Sequence, residues 1–437
     1  MPSPLNVPFL TDLDSRAAVK GSRDPLGIQP IWTRFGRHVV GNLTTVTDSV
    51  RGFTTLLLGI WFAERIADKS PPGSEISTFL RWEQLAAYAR AHNGDFAFRG
   101  TERVRRWLNE GKPVTLSDNP AHQILGNQKI YGLWGLYSSP ARSSGLLESD
   151  SPRLTPLARE FVEHHYLPIL SEDGGRDPKN ILKILSKASV QIDSAGAHEK
   201  IVLKVWKTLR QRLSAKEREF YTFHLLHGGP QDDTAGRQRQ FAELLRTTLR
   251  DDDFEWSLAQ VGQLAKEAQN LSKDWEPLAH DLSRICTCES VLAPASAAFG
   301  YLLGLDGKAP GLLSSRLKEA WGNGLRSVDT KAFAELKSEI GTEDASTGQR
   351  WADIATALAD GDYTQLVELL IAQNASVMIQ RGGAPWVELR KQHLHVRFRD
   401  ETGELPKRED LPELWRFSYF LAPLRNIAKE LERNGHE

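Results

Sequence analysis

The stretch SPRLTPLARE, Ser151 to Glu160, decides how the first part of this chain is read. Ser149-Asp150-Ser151-Pro152 is a turn cluster, because Ser and Asp side chains bond nearby backbone and proline presets φ. Arg153-Leu154 is long enough only for the stub of a strand, and Gly145-Leu146-Leu147 can carry the facing strand out of a helix. Thr155 then fits an N-cap. Pro156 fits the first helical position, where its missing N–H would be unpaired anyway. The fragment reads as a tight two-strand ribbon feeding a helix.

Three helical patterns precede it. Phe79, Trp82, Leu85, Ala86 and Ala89 recur at spacings of three and four. TERVRRWLNEG, Thr101 to Gly111, has a cap residue at its start and a glycine stop. HQILGNQKIYGLWGLY gives the third, loosened by Gly126, Gly132 and Gly135 and bent at Pro140. Three helices, a ribbon and a closing helix describe a winged-helix domain over residues 77–170. The run Gly-Leu-Leu, turn, Arg-Leu-Thr-Pro-Leu-Ala-Arg-Glu resembles the wing and final helix of many bacterial winged-helix proteins. An all-helical bundle with a coincidental Thr-Pro cap is the alternative.

Around this centre the chain divides into three more segments. Residues 1–76 begin irregularly, with Pro2, Pro4, Pro8, Pro25 and Pro30. They turn helical from Ile31 to Ala67, where Phe53, Leu56, Leu57, Ile60 and Trp61 form a wide apolar stripe; Pro71-Pro72-Gly73 stops it. Residues 171–383 read as helix and loop without a fixed repeat period. In residues 384–437, Leu394, Val396 and Phe398 alternate with His393, His395 and Arg397, with a turn expected at Asp400–Gly403 and a helix from near Ser418. The expected fold class is mainly α: a winged-helix domain near the N-terminus, then a helical domain, with a short β-hairpin near the C-terminus.

The composition is that of a globular protein: 437 residues, 40% apolar and 25% charged. At roughly 100–200 residues per domain, two or three domains fit. A net charge of −1 excludes a whole-chain electrostatic attraction to nucleic acid, so any basic surface must be local. The N-terminus lacks the pattern of a signal peptide, and the apolar run FTTLLLGIWFAERIA is interrupted by Glu64 and Arg65. Cys286 and Cys288 are too close for an unstrained disulfide and form half of no usual zinc site. A cytoplasmic protein with two buried thiols is expected.

Familiar catalytic patterns are absent. There is no phosphate loop, no Gly-x-Gly-x-x-Gly after a strand and no His-Glu-x-x-His, so no cofactor or metal is implied. HEKIVLKV starts like a phospholipase D element at His198 and Lys200 but has Val205 where an aspartate is needed. Asp329 with Glu335 and Lys337 has the letters of a restriction-type nuclease, yet Phe333, Leu336 and Ile340 mark a helix. Asp251-Asp252-Asp253 point in different directions, and His224 and His227 lack a third ligand.

Basic residues are more suggestive. Arg34, Arg37 and Arg51 lie in the aromatic, glycine-rich stretch 23–59, which is either a binding surface or a loop packed on the core. Arg81, Arg90, Arg99, Arg103, Arg105 and Arg106 outnumber the nearby acids. Gln123, Asn127, Gln128 and Lys129 open the helix that would read a groove, and Arg142 and Arg153 flank the ribbon. Against this, GLWGLY is apolar for an exposed helix, and Glu148 and Asp150 would repel phosphate. Contact with a partner subunit therefore stands beside contact with DNA.

The 23–59 stretch, ILGNQKIYGLWGLYSSPARSSGLL and LWRFSYFLAPLRNIAKEL together look like a group of uncharacterised bacterial proteins. Their genes sit in anti-phage defence islands near helicases, phospholipase D-like proteins and restriction-type genes. The resemblance implies a context and no reaction. The leading expectation is a non-catalytic component of such a system, binding DNA or a helicase or nuclease partner. The alternatives are a transcriptional regulator of the cluster, or a metal-dependent nuclease assembled from distant acids such as Asp193, Asp329 and Asp353.

Overall fold

A computed structural model describes residues 24–68, 74–398 and 404–433. The leading prolines up to Pro8, the Pro71-Pro72-Gly73 stop and the Asp400–Gly403 turn lie outside the described residues. The principal elements, in chain order, are α1 (Ile28–Val39), α2 (Val50–Ala67), α3 (Ser74–His92), α4 (Thr101–Asn109), β1 (Val114–Ser117), α5 (Gln128–Tyr131), α6 (Leu133–Ser143) and α7 (Pro156–His165). They continue with β2 (Ser189–Ile192), α8 (Glu199–Leu209), α9 (Ala215–Tyr221), α10 (Leu258–Leu271), α11 (Glu276–Leu302), α12 (Ala345–Asp360), α13 (Tyr363–Gln380), β3 (Val387–Arg390), β4 (His393–Val396) and α14 (Leu421–Arg433). The protein is mainly helical, with a small two-strand sheet near the C-terminus.

Two compact units form, and both are discontinuous in sequence. Unit 1 joins the chain up to Val39 to Asp253–Tyr419; unit 2 joins Val40–Asp252 to the stretch from Phe420. Neither unit coincides with one of the four consecutive segments read from the sequence. A boundary at 170/171 is crossed by a sheet: β1 pairs antiparallel with β2, with Val114 opposite Ile192 and Ser117 opposite Ser189. A four-residue strand is stable only against a partner, and this partner is far away in sequence.

In unit 2, α2 packs against α3, α6 and α7. Every residue of α2 from Val50 to Ala63 is buried, beyond the stripe its periodicity suggested. Two glycines permit the close approach. A Cβ on Gly59 would lie 2.6 Å from the Phe79 ring, and one on Gly52 would lie 2.5 Å from the Tyr137 ring. α3 is buried from Thr78 to Ala91, so its polar residues must be bonded internally. Arg81 donates to the Leu185 carbonyl (2.9 Å), and Gln84 bonds the Ser117 backbone in both directions (2.8 and 3.0 Å), tying β1 to the helix.

The opening fragment folds locally as its letters dictate. Leu147 and Leu154 form one antiparallel bridge, Glu148 N–H donates to the Arg153 carbonyl at 2.9 Å, and Gly145 turns at φ +69°. Thr155 caps α7 by accepting from the Ala158 N–H, with Pro156 in the first turn. The third helix expected there is broken: a 3-10 turn at Pro120–His122 and short α5 precede α6, and Asn127 caps α5.

In unit 1, α11 is the central helix and packs against α10 and α1. The segment Lys273–Leu302 is long and apolar enough to cross a membrane, but most of it is buried inside the protein. Glu289 on α11 is fully buried. Its carboxyl accepts from the Arg416 and Phe417 amides and from the Tyr419 hydroxyl (2.9 Å). The hairpin β3–β4 turns at Lys391-Gln392, both at positive φ (49° and 61°), with Arg390 opposite His393. Such a turn is ordinarily signalled by Asn-Gly, which is why it escaped the sequence reading.

Candidate functional site

The basic and amide residues singled out by sequence divide into three fates. In unit 1, Arg34 donates to the Glu339 carbonyl, and Arg37 is half-buried, its pKa lowered by desolvation. In unit 2, Arg51, Gln123 and Gln128 are buried and wired inward. Arg51 pairs with Glu217 at 2.6 Å and donates to the carbonyls of Arg210 (2.7 Å) and Arg212 (3.0 Å). Gln128 donates to the Leu80 carbonyl (3.0 Å) and to Glu83 (2.8 Å); Gln123 donates to the Asp118 carbonyl (2.8 Å). These amides hold the 118–128 loop against α3 and cannot read a groove.

Arg103 is half spent, since it donates to the carbonyls of Gln123 and Leu125. Arg105, Arg106, Asn127, Lys129 and Arg153 are exposed, and Arg142 is half-buried. Arg105 lies 4.1 Å above the Phe96 ring, which orients it without neutralising it. Of the exposed set, Arg105 and Arg106 lie on α4 and Lys129 on α5, two short helices joined through the contacts of Arg103 with the loop at 123–125; Arg153 lies on the ribbon.

Beside α4, unit 2 opens into a cleft of about 830 Å³. Small residues, Gly52, Ala86, Ala87 and Ala97, leave the space; Arg99, Phe98 and Tyr137 border it. Two carboxylates lie deep in it. Burial pushes Glu83 up to about 7, although the Leu133 N–H (2.8 Å) and Gln128 favour its charged form. Burial also raises Glu430, which accepts from the Val50 N–H at 2.8 Å. Each carboxylate thus sits at the start of a helix, Glu83 at α6 and Glu430 at α2, where a negative charge is favoured. Both oxygens of Glu83 are thus taken by donors.

The remaining chemistry is dispersed. Among the described residues, no group of three or more His, Cys, Asp or Glu could hold a metal ion. Asp193 belongs to unit 2, and Asp329 and Asp353 belong to unit 1. Asp329 caps its own helix by accepting from the Lys331 and Ala332 N–H groups, and Asp353 accepts from Gln349 (2.7 Å). His224 is fully buried on a π-helical turn, Thr222–Leu226; its Nδ1 donates to the Ser144 carbonyl (2.7 Å), and burial lowers its pKa. Burial pushes Cys286 up to about 12 and Cys288 well above its ordinary range, so neither is a nucleophile at neutral pH.

Comparison with protein-family models, curated proteins and solved structures returned no match. The site therefore rests on its own geometry. Sequence reading named most of the exposed cations. It missed the cleft, because the small residues of α2 and α3 that open it are unremarkable in a helix and gain meaning only when the two helices meet.

Proposed function

We propose that this chain is a non-catalytic component of a multi-protein bacterial antiviral system, working in the cytoplasm. In this reading unit 2 binds DNA through the α4–α5 face of a winged-helix-like region. One observation carries it. Arg105 and Arg106 on α4, Lys112 just beyond its end and Lys129 on α5 are exposed, and none is ion-paired among the described residues. Backbone phosphates are the partner such cations lack. Tyr131, 60% exposed on α5, adds a ring on which an unpaired base can stack. The order α3, α4, α6, the Leu147–Leu154 ribbon and α7 supports the winged-helix part, with β1 turned aside to pair with β2.

The test is binding of a 30-base-pair duplex, followed by fluorescence anisotropy at rising salt. Four phosphate contacts predict a log–log slope of roughly −3 to −4. The triple variant Arg105→Glu/Arg106→Glu/Lys129→Glu should abolish binding and leave the circular dichroism spectrum unchanged. No binding at about 50 mM salt removes the DNA reading.

A second reading rests on Ile130 and Tyr131, adjacent and 53% and 60% exposed. They suit a protein partner, such as a helicase or nuclease subunit that supplies the chemistry. Ile130→Asp would then disrupt the complex with that subunit without altering the salt slope for DNA.

A further inference from the structure

We propose that the β3–β4 hairpin of unit 1 is a platform for single-stranded nucleic acid. It shares no residue with the α4–α5 face of unit 2 and stands whether or not that face binds duplex. The ladder pairs Val387 with Val396, Glu388 with His395, Leu389 with Leu394 and Arg390 with His393. The Arg397 N–H donates to the Trp386 carbonyl (2.8 Å), which extends the ladder at its base. Successive side chains on a strand point to opposite faces. Val387, Leu394 and Val396 are buried on one face. Trp386, Glu388, Arg390, His393, His395 and Arg397 therefore share the other, and each is exposed or half-buried.

That face combines rings with cations. Trp386 stacks on Phe398 at 4.3 Å, and Phe398 is 55% exposed, so the pair presents an open ring at the base of the ribbon. The His393 ring is oriented by its contact with the Lys391 carbonyl (2.9 Å). Arg390 and Arg397 both engage Glu388, so one carboxylate is shared by two guanidinium groups and holds both in place. Lys391 at the tip and Lys308, whose carbonyl accepts from the Leu394 N–H (2.8 Å), are exposed, and neither is ion-paired among the described residues. Every base has a flat face that stacks on such rings, and the phosphates between bases suit the cations. A duplex keeps its bases stacked on one another, so the rings select a single strand.

The ribbon is anchored along its length. The Trp386 N–H donates to the side chain of Asn374, buried on α13 (2.8 Å), and the Val396 N–H donates to the Asp306 carboxylate (2.9 Å). The Gly307 N–H donates to the Leu394 carbonyl (2.8 Å), so the outer edge of β4 is covered. At the tip, Lys391 and Gln392 both hold positive φ, a turn that Asn-Gly would make with less strain. Strain kept at an exposed tip points to a use for the side chains it carries. Here they add a cation and an amide at the apex. Cations thus stand at both ends of the ribbon, Arg397 at the base and Lys391 roughly 13 Å away at a strand rise of about 3.3 Å per residue.

Fluorescence anisotropy of the full chain tests this with four labelled probes: a twenty-nucleotide thymidine strand, the matching uridine strand, an abasic strand of that length and a 30-base-pair duplex. The thymidine and uridine strands should bind, because the face offers contacts to base planes and phosphates. A preference above about tenfold between them assigns the platform to DNA or to RNA, and equal binding assigns it to either. Three phosphate contacts, by Lys308, Lys391 and one of the two arginines, predict a log–log salt slope of roughly −2. The abasic strand should bind about tenfold more weakly, since it leaves the rings without a partner. Arg390→Glu/Lys391→Glu should weaken the thymidine strand at least tenfold and leave duplex binding unchanged. Lys391→Asn/Gln392→Gly installs the preferred turn, so it should keep or raise the melting temperature while lowering strand affinity about threefold, which separates a lost contact from a lost fold. The proposal is overturned if no single strand binds at about 50 mM salt, if the abasic strand binds as tightly as thymidine, or if Arg390→Glu/Lys391→Glu binds as tightly as the parent. Loss of strand binding in Arg105→Glu/Arg106→Glu/Lys129→Glu would also overturn it. Failure of the duplex to bind while the strand still binds would remove the α4–α5 reading alone.

Discussion

Replacing Arg51 tests the frame on which unit 2 depends. The side chain is 2% exposed and makes four contacts: Glu217 at 2.6 Å, the Arg210 and Arg212 carbonyls at 2.7 and 3.0 Å, and the Thr54 hydroxyl at 3.3 Å. Arg51→Ala deletes all of them and leaves Glu217 buried without its cation. Breaking a buried pair from one side costs about 3–5 kcal/mol. Glu217 keeps the Ser214 N–H (2.7 Å) and the Tyr166 hydroxyl (3.1 Å), which holds the loss within that range. The loss should also depend on pH. Burial alone would raise Glu217, and Arg51 together with the Ser214 N–H and hydroxyl offsets it, so its folded pKa lies below 4.5. In the parent this carboxylate contributes stability that is present above 4.5 and lost as pH falls through the folded value. Without Arg51 fewer groups oppose burial, so the folded pKa rises and this contribution shrinks. Urea unfolding at pH 4.5 and pH 8 should therefore show a larger penalty at pH 8. Arg51→Met/Glu217→Leu should recover part of it, because no charge is then stranded. A penalty below about 1 kcal/mol, or one equal at both pH values, would refute the role assigned to the pair.

Two further outcomes follow from packing and burial. Gly52→Ala puts a methyl group 2.5 Å from the Tyr137 ring and should cost about 1–3 kcal/mol by urea unfolding, relieved in part by Tyr137→Leu. Glu83, raised from 4.5 to about 7 by burial, contributes stability that is complete below 4.5 and lost as pH rises through about 7. At roughly 1.4 kcal/mol per pH unit this is on the order of 3 kcal/mol, and Glu83→Gln should flatten the dependence of the urea midpoint on pH across that window. An unchanged slope would mean that Glu83 is not the group titrating.

Much of the local structure was legible in short stretches. The Thr155 cap, Pro156 in the first turn and the turn at 149–152 are settled by groups within a few residues of one another, so neighbouring letters suffice. Helix α2 was legible from its period, and the exposed cations of α4 and α5 from their density.

By itself, then, the sequence determined the mainly helical class, the caps and turns, and which residues could carry charge, because those depend on periodicity and on bonds that span a turn. The tertiary structure decided the rest. It decided that Gln123 and Gln128 face inward and Lys129 outward, since a polar side chain is committed by whichever donor or acceptor folding brings within 3 Å. It paired β1 with β2 and joined Val40–Asp252 to the C-terminal helix, because contacts between distant segments are set by how faces bury one another, and no local pattern records their partner.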